Sequence, residues 1–281
     1  MPTTTSAVSV QSALEEDLPR AVGDLRHALA TDPDGLFAAR DGSGAVLGLA
    51  AGAVRGDVLL ILHLDVAQRA RGRGIGRALH AAVGAYGAAR GARQLEFLRP
   101  AETETLGFLL STGLPVRSVA LKLRVTLRRP EAAPSPGGEL VPVGPGAPLG
   151  GWVADLDRET RGHARGVDWN VWLRRGVSVV FLRRKGRPEA VGALTMTAKS
   201  AAIGPIEGRT PAAAAEILPL LLTEARRLGA LSATLTLPAD AAALLGAALK
   251  ARFRLESSFP LLASRLRGDF RRYAASATAF F

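Results

Sequence analysis

The chain has 281 residues, a formal net charge of +11 at pH 7 and no cysteine. This length predicts two domains, each long enough to close a hydrophobic core. Without cysteine there is no disulfide and no thiolate metal site, which suits a cytoplasmic protein. No basic N-terminal segment precedes an apolar one, and no uncharged apolar run approaches the roughly 18 residues of a membrane helix, so we expect a soluble protein without a membrane partner.

The charge is unevenly distributed along the chain. Residues 1–127 carry 14 basic and 12 acidic side chains, whereas residues 128–281 carry 22 and 13, so the second part contributes +9 of the +11. A basic protein can attract nucleic acid or acidic ligands. The basic residues are scattered and aromatic residues are few, which argues against a nucleic-acid-binding surface. A basic nucleic-acid-binding protein is therefore kept as the least favoured hypothesis for the function.

The first predicted elements are a helix and a hairpin. Residues 12–30 have a helical pattern that Ser12 can cap, and Pro19 interrupts this helix or begins a second one. The turn chemistry of Asp41 to Gly44 separates two apolar runs and predicts a pair of strands. A third strand follows at Val58 to Val66, where the sequence reads VLLILHLDV.

A glycine-rich turn and a helix come directly after this third strand. The turn reads QRARGRGIG, and the helical pattern continues to Arg90. Glycines allow backbone N–H groups to approach a ligand closely, and the first turn of a helix carries unpaired N–H donors and the positive end of the dipole. Arg71, Arg73 and Arg77 add charges that can bind phosphate oxygens in a fork. This stretch therefore predicts a pyrophosphate site.

Two common phosphate-binding motifs do not fit this turn. The P-loop requires a lysine followed by serine or threonine after its last glycine, and Arg77 and Ala78 stand there instead. The dinucleotide fingerprint requires a glycine or alanine three residues after Gly74, and this position is again Arg77. A plain surface turn or an RNA-contacting loop stays open as the alternative.

The spacing that remains is R-x-x-G-x-G from Arg71 to Gly76, after a strand that ends in Leu-Asp-Val. It resembles the acyl-CoA loop of the GCN5-related N-acetyltransferase (GNAT) family. The resemblance implies an α/β (α+β) fold with a mixed, mostly antiparallel twisted sheet flanked by helices, and acetyl-CoA as co-substrate. It also implies that the pantetheine arm lies where this strand and the next parallel strand, RQLEFL, splay apart. The implied cofactor-binding residues are Leu64, Asp65, Val66, Arg71, Gly72, Arg73, Gly74, Ile75, Gly76 and Arg77.

A first domain at residues 1–127 would be completed by a helix at residues 102–111 and a pair of strands within residues 114–127. Residues 128–139 contain three prolines and two glycines without periodicity, which is typical of a linker. Residues 140–268 repeat the order of the first domain and resemble a second, degenerate GNAT lobe in tandem, followed by a tail at residues 269–281. Its predicted loop at residues 204–210 has Pro205 and Glu207, which disfavour an anion, so we expect no acyl-CoA there.

Acetyl transfer to an amine requires positioning of the reactants, a backbone N–H that polarises the thioester carbonyl, and a base. By strand alternation His63 and Asp65 face the same side beside the expected thioester. Glu96 lies on the parallel strand among apolar residues, where burial can raise its pKa. These three are the candidate catalytic residues. The alternatives are a packed core histidine, an aspartate that orients the cofactor, and a glutamate that faces away from the site.

Many relatives use a tyrosine in the last helix of the lobe to protonate the CoA thiolate. The segment PAETETLGFLL contains none, so Glu102, Glu104, a water or Tyr273 would have to replace it. The sequence predicts an N-acetyltransferase that acts on a primary amine of a small molecule, peptide or protein by direct transfer in a ternary complex. The alternative is a non-catalytic acyl-CoA-binding or scaffold protein. The four histidines have no metal-ligand spacing, so no metal is expected, and the oligomeric state stays open, a homodimer included.

Overall fold

The computed structural model describes residues 8–19, 23–98, 103–127, 139–143 and 149–276. The chain divides into two compact units, Met1–Phe97 and Leu98–Phe281. Each unit contains a mixed, mostly antiparallel β-sheet with helices packed on it, which confirms the predicted fold class.

As far as the structure describes it, the first unit is a sheet with two helices. Its strands are β1 (Ser9–Ser12), β2 (Leu36–Arg40), β3 (Val46–Arg55), β4 (Val58–Val66) and β5 (Gln94–Leu98), and its helices are α1 (Gly23–Thr31) and α2 (Ile75–Ala89). The strands lie in the order β1-β2-β3-β4-β5. Neighbours are antiparallel except β4 and β5, which are parallel because α2 connects them. Both helices pack against β2, β3 and β4.

The hairpin between β2 and β3 forms as the sequence predicts. The Asp41 carboxylate accepts hydrogen bonds from the backbone N–H groups of Ser43 at 2.9 Å and Ala45 at 3.1 Å. These bonds close the turn locally, so the two apolar runs can pair. The core beneath them contains fully buried leucines from β4 and α2, among them Leu62 and Leu79.

The prediction of a helix over residues 12–30 is wrong in its first part. Ser12 is the last residue of β1, which pairs with β2, and residues 15–17 form a short 3₁₀ turn. The Asp17 carboxylate accepts the backbone N–H of Leu14 at 2.7 Å, so this side chain, rather than that of Ser12, stabilises the turn. Pairing with the edge of β2 outweighs the local helical pattern, because tertiary contacts override weak propensities. The helix itself is α1.

In its described residues the second unit has a larger sheet and six helices. Its strands are β6 (Val116–Thr126), β7 (Glu139–Val143), β8 (Ser178–Arg184), β9 (Arg187–Thr197), β10 (Ser200–Gly208), β11 (Ser232–Pro238), β12 (Arg254–Ala263) and β13 (Tyr273–Ala274). Its helices are α3 (Thr103–Ser111), α4 (Gly151–Arg161), α5 (Gly166–Arg174), α6 (Pro211–Glu216), α7 (Leu218–Arg227) and α8 (Ala242–Lys250). The strand order is β12-β6-β11-β10-β9-β8-β7, and β13 pairs with β10. The pair β10 and β11 is parallel.

The strand pair predicted within residues 114–127 is a single strand, β6. No glycine, proline, asparagine or aspartate interrupts it, so the segment lacks the strongest turn-forming residues. β6 pairs with β11 and β12, and it therefore belongs to the sheet of the second unit. The compact units accordingly divide between Phe97 and Leu98, whereas the predicted first domain ends at residue 127. Of the predicted linker, residues 128–138 lie outside the described residues.

The second unit repeats the strand and helix order of the first. β8, β9 and β10 are antiparallel neighbours, and a helical connection leads from β10 to the parallel strand β11. This connection contains two helices, α6 and α7, that meet at Ile217. Pro219 has no backbone N–H to continue the helical hydrogen bonds, which accounts for the break.

Candidate functional site

β4 and β5 pair along only the first part of β4. The ladder runs from Val58↔Gln94 to Ile61↔Phe97, although β4 continues to Val66. The other edge of β4 stays paired with β3 along its whole length. Within the part of the chain that the structure describes, β4 beyond Ile61 therefore has no strand partner on its β5 side. The two parallel strands leave a gap there, as the resemblance implies.

A β-bulge marks the start of this gap. In the ladder with β3, Gly52 pairs with Ile61 and Ala51 pairs with His63, so Leu62 is an extra residue on β4. A bulge bends its strand and changes the face to which the following side chains point. Sequence alternation alone gives no sign of it.

The bulge determines which β4 side chains face α2. Before it, Leu59 lies on the α2 face, where its Cδ1 would be 3.0 Å from a Cβ built on Gly52. After it, Val66 lies on this same face, where its Cγ2 would be 3.3 Å from a Cβ built on Gly48. Strict alternation would place Leu59 and Val66 on opposite faces.

The three candidate catalytic side chains consequently share the face of the sheet that points away from α2. His63 and Asp65 lie there together, as alternation after the bulge requires. Glu96 pairs with Leu60, which belongs to the same face. His63 and Glu96 are buried, at 5% and 3% exposure, whereas Asp65 is exposed. The structure thus places two buried titratable groups and one exposed carboxylate on the same side of neighbouring strands.

The chain leaves β4 through a short 3₁₀ turn at residues 68–70, which sequence reasoning did not predict. The Ala67 N–H donates to the Leu47 carbonyl at 2.8 Å, and the Ala70 N–H donates to the Ala67 carbonyl at 2.8 Å. Ala70 is fully buried and anchors this turn to the unit. The signal in the sequence is weak, because the segment AQRA has no strong turn former.

The glycine-rich turn that follows is exposed and open. Gly72 and Gly74 have φ angles of +75° and +77°, a conformation that residues with a Cβ rarely adopt. A Cβ built on either would meet no atom within 4 Å, so the space beside this backbone is empty of protein. Gly74 is the N-cap of α2, and its carbonyl accepts the Ala78 N–H at 3.0 Å. The unpaired N–H groups of the first turn of α2 therefore begin at this open loop.

Arginines surround the open loop. Arg71, Arg73 and Arg77 are all exposed. Arg71 donates from Nε to the Val66 carbonyl at 3.2 Å, which holds the loop against the end of β4. Arg73 lies between the two left-handed glycines, and Arg77 lies in the first turn of α2. The positive end of the helix and these charges favour an anion at the same place.

The other end of α2 is fixed by a buried hydrogen-bond network. The Tyr86 hydroxyl donates to Asp32 Oδ1 at 2.9 Å, and Arg55 Nη1 donates to Asp32 Oδ2 at 2.7 Å. The Val54 N–H also donates to Asp32, at 3.1 Å. Burial, and then the hydrogen bond to Asp32, raises the pKa of Tyr86 to about 12. Tyr86 thus has a structural role.

In the second unit, the parallel strands β10 and β11 correspond to β4 and β5, and they too pair along only the first part of the longer strand. β10 and β11 pair from Ser200↔Ser232 to Ile203↔Leu235, and β10 then continues to Gly208. An irregularity in the ladder with β9 lies between Ile203 and Ile206, directly after the parallel pairing ends. In both units, therefore, a long strand continues beyond the end of its pairing with the parallel neighbour, and a ladder irregularity lies directly after the last pair.

The connection beyond β10 differs from the loop of the first unit. The loop predicted at residues 204–210 is wrong, because β10 extends to Gly208 and only Arg209 and Thr210 precede α6. The Thr210 side chain accepts the Ala213 N–H at 3.1 Å, so the helix is capped from within the chain. Glu207 lies inside β10, fully buried, and not at the helix N-terminus. The two-residue connection is too short to curve around a diphosphate.

A buried charge cluster beside β10 was missed by sequence reasoning. Arg165 donates from Nε to Asp157 Oδ1 at 2.9 Å, from Nη1 to the Tyr273 hydroxyl at 3.0 Å, and from Nη2 to Glu207. These partners lie 8, 108 and 42 residues from Arg165 along the chain, so no local pattern joins them. The tryptophans of α5, Trp169 and Trp172, pack edge to face in the same region with ring centroids 5.2 Å apart.

The predicted substitutes for the missing tyrosine have different outcomes. Tyr273 is fully buried in the second unit with its hydroxyl bonded to Arg165, so it is not available to a bound thiolate. Glu102 lies outside the described residues. Glu104 is in α3, and its side chain lies outside them too.

Among the described residues, no helix is both long and apolar enough to cross a membrane. Within the same ranges, no group of three or more histidine, aspartate or glutamate side chains is arranged to hold a metal ion.

Comparison with known proteins places the open loop within a family domain. Residues 7–109 match the model of the acetyltransferase (GNAT) family. No curated protein sequence matches the chain.

Solved structures are similar over nearly the whole chain. An acetyltransferase structure from Pyrococcus horikoshii is 18% identical, covers 98% of this chain and 96% of its own, and has a TM-score of 0.77. A GCN5-related N-acetyltransferase from Sphaerobacter thermophilus is 16% identical, with 93% and 96% covered and a TM-score of 0.64. A tandem GNAT protein from the clavulanic acid biosynthesis pathway is 19% identical, with 89% and 90% covered and a TM-score of 0.60. At these identities the similarity concerns the fold.

The strand gap, the open glycine loop at the start of α2 and the family match all lie in the same stretch of chain. Residues 7–109 thus match the acetyltransferase (GNAT) family, and the chain shares its fold with GCN5-related N-acetyltransferases, a tandem GNAT protein among them.

Proposed function

We propose that the GNAT domain binds acetyl-CoA and that the protein transfers the acetyl group to a primary amine of a small molecule, peptide or protein. The family supports acyl transfer in general, and the acetyl donor and the amine acceptor are our proposal. The observation that carries it is the open, left-handed turn at Gly72 and Gly74, which lies directly beyond the unpaired end of β4.

The loop is suited to the diphosphate of the cofactor. Backbone N–H groups from Gly72 to Gly76 would bind its oxygens, and Arg73 and Arg77 would supply full charges. Arg71 would keep the loop in register with β4 through its bond to Val66. We assign the pantetheine arm to the gap beside Leu64, Asp65 and Val66, where β4 has backbone groups and no strand partner on its β5 side among the described residues.

In the proposed reaction the amine nitrogen attacks the thioester carbonyl carbon while both reactants are bound. A backbone N–H stabilises the oxyanion of the tetrahedral intermediate, which collapses with loss of the CoA thiolate. The proton lost by the amine passes to a base, for which Glu96 and His63 are the buried candidates on the face away from α2. Asp65 is exposed on this face, where it can accept a proton or orient the cofactor.

The test is thiol release from acetyl-CoA in the presence of a panel of primary amines, together with calorimetry of CoA binding. We expect binding at one site and amine-dependent thiol release. If calorimetry detects no heat from CoA at millimolar concentration, the cofactor assignment is wrong, and the proposed function fails with it.

Single substitutions then test the base. Glu96→Gln and His63→Gln are expected to lower kcat by about 10²–10⁴-fold for the residue that acts as the base, and to remove the corresponding limb of the pH profile. Substitution of a residue that only packs in the core should lower the stability and leave the pH profile of kcat unchanged. Asp65→Asn tests the exposed candidate in the same way, and three unchanged profiles would reject all three residues as the base.

A second candidate is an acyl-CoA-binding protein without catalysis. It is favoured by the lack of a tyrosine in α3 and by the burial of Tyr273, because no described tyrosine is then left to protonate the thiolate. Binding of CoA without thiol release from acetyl-CoA in the presence of any amine would select this candidate.

The predicted domain boundaries at residues 127 and 139, the cytoplasmic location and a homodimer remain proposals from the sequence.

A further inference from the structure

The C-terminal segment of the chain returns to the sheet of the second unit. In β13, Tyr273 pairs with Glu207 of β10 and Ala274 pairs with Ile206. The next residue, Ala275, bridges to β11, and its N–H donates to the Thr236 carbonyl at 2.8 Å. The segment is thus bonded to β10 on one side and to β11 on the other.

This position coincides with the gap between the two parallel strands. The ladder of β10 and β11 ends at Ile203↔Leu235, and the pairs made by residues 273–275 begin immediately beyond it. An added strand satisfies the backbone groups of a strand edge, which is how many proteins bind extended peptides.

We propose that this gap is a binding site for an extended peptide strand and that the chain fills it with its own residues 269–275. The gap between β4 and β5 in the first unit is the corresponding place. Its assignment to the pantetheine arm rests on the proposed function, whereas the peptide site in the second unit does not depend on it.

Side chains of the second unit form a pocket for the segment. Tyr273 is fully buried, its hydroxyl accepts from Arg165, and its ring lies 5.3 Å from the Arg161 guanidinium carbon. The same guanidinium lies 5.0 Å from the Phe270 ring centroid. Two aromatic side chains of the segment therefore pack against two buried arginines, a favourable arrangement for cations over ring faces.

The backbone around the gap leaves room for the segment. Gly204 has a φ of +139°, and a Cβ built there would lie 1.8 Å from the Ala275 carbonyl oxygen. At Gly268, where the segment begins, a Cβ would lie 2.3 Å from the Thr160 carbonyl oxygen. Only glycine allows these two close approaches, so both positions are adapted to the segment.

The connection after β10 binds the segment through carbonyl groups. Arg272 donates from Nη1 to the Arg209 carbonyl at 2.7 Å and to the Gly208 carbonyl at 3.3 Å. It also pairs with Glu159 of α4 at 3.1 Å. In the first unit the equivalent connection presents arginines and helix N–H groups to an anion, whereas here carbonyls bind a cation. The site therefore selects a basic, aromatic peptide rather than a phosphate.

The experiment uses the full chain with Ala275→Pro, which removes the N–H that donates to Thr236 and so shifts the equilibrium towards the detached segment. A fluorescein-labelled peptide of residues 269–276 is titrated into this variant and into the wild-type chain. We expect the variant to bind it at a 1:1 ratio and at least about tenfold more tightly than wild type, because the wild-type site is already occupied. The same peptide with proline at the position of Ala275 is the matched control and should not bind.

Equal, absent or proline-insensitive binding to the folded variant would overturn the proposal. If Ala275→Pro does not fold, hydrogen exchange of the wild-type chain decides instead. The amide of Ala275 should then exchange as slowly as those of β10, and exchange at the rate of an unstructured chain would reject the site. CoA binding to the first unit is measured in parallel, so a failure of the cofactor proposal is seen separately.

Discussion

The two units contain the same arrangement of strands and use it differently. In each, a nine-residue strand pairs with its parallel neighbour over four residues and then continues past a bulge. In the first unit the next segment is an exposed glycine-rich loop, and in the second it is a two-residue connection beside a gap filled by β13. The comparison teaches that loop length and the occupant of the gap, rather than the fold, determine what each unit can bind.

The two units also differ in whether their arginines are available to a ligand. Arg73 and Arg77 beside the open loop are exposed, and charges at such positions remain available to a ligand. Arg165 of the second unit is buried and bonded to Asp157 and Glu207. Because a buried charge must be paired, Arg165 serves the structure of its own unit and is not free to bind an external anion.

The largest expected effect comes from closing the open loop. Gly74→Phe places a side chain where CoA would approach the backbone, and we expect CoA affinity to fall by about 100-fold or more, since several N–H bonds to the diphosphate are lost together. Calorimetry measures it. Gly91→Phe is the matched control, because Gly91 also has a positive φ, of +80°, and open space around it, at the opposite end of α2. Equal losses in both variants would show that backbone strain, and not the loop, is responsible.

The second prediction compares Gly204, beside the gap of the second unit, with Gly72 in the open loop of the first. Gly204→Ala forces a Cβ against the Ala275 carbonyl and is expected to destabilise the second unit by about 2–4 kcal/mol. Gly72→Ala meets no atom and should cost about 1 kcal/mol in the first unit, from its positive φ alone. All three tryptophans lie in the second unit, so urea unfolding followed by tryptophan fluorescence reports on that unit. A fluorescence midpoint that Gly204→Ala leaves unchanged would contradict the tight fit of β13.

A smaller effect is expected from the arginines at the loop. Arg73→Ala and Arg77→Ala should each weaken CoA binding by about tenfold at low salt, in line with the loss of one charged hydrogen bond. The difference from wild type should shrink as salt is added. Arg174→Ala, at an exposed position of α5 in the second unit, serves as the control and should leave CoA affinity unchanged. A loss of affinity in the control equal to that at the loop would mean that only net charge matters.

The smallest expected effect concerns the far end of α2. The pKa of Tyr86 is raised from 10.0 to about 12 in the folded chain, so its contribution to stability is complete below pH 10 and is lost as the pH rises through 12. Tyr86→Phe should cost about 1 kcal/mol at neutral pH, because Asp32 loses one buried donor and keeps those of Arg55 and the Val54 N–H. The variant should also lack this part of the alkaline dependence. Hydrogen exchange of β3 between pH 7 and 9 measures the loss of stability near neutral pH, and urea unfolding by circular dichroism up to pH 12 measures its alkaline dependence. If the slope of the unfolding free energy against pH between 10 and 12 is the same in Tyr86→Phe and wild type, the assignment to Tyr86 is wrong.

By itself, the sequence determined the stretch from Val58 to Gly91 as strand, glycine-rich loop and helix. It also determined the resemblance of this stretch to the GNAT family, whose model matches residues 7–109. These features are local: the spacing of Arg71, Gly72, Gly74 and Gly76 lies within one turn, and left-handed glycines at a helix start need no distant partner. The mostly antiparallel sheets with their helices were predictable for a similar reason, since apolar runs and turns alternate in order along the chain.

Only the tertiary structure decided how distant segments meet. The bulge at Leu62 depends on the register with β3, and this register places His63, Asp65 and Glu96 on one face. β6 was predicted to close the first domain but pairs with β11 and β12, and Tyr273–Ala274 of the predicted tail form a strand of the second unit. The bonds of Arg165 join residues up to 108 positions apart. Strand partners and buried ion pairs of this kind are selected by packing across the whole unit, and a local residue pattern carries no information about them.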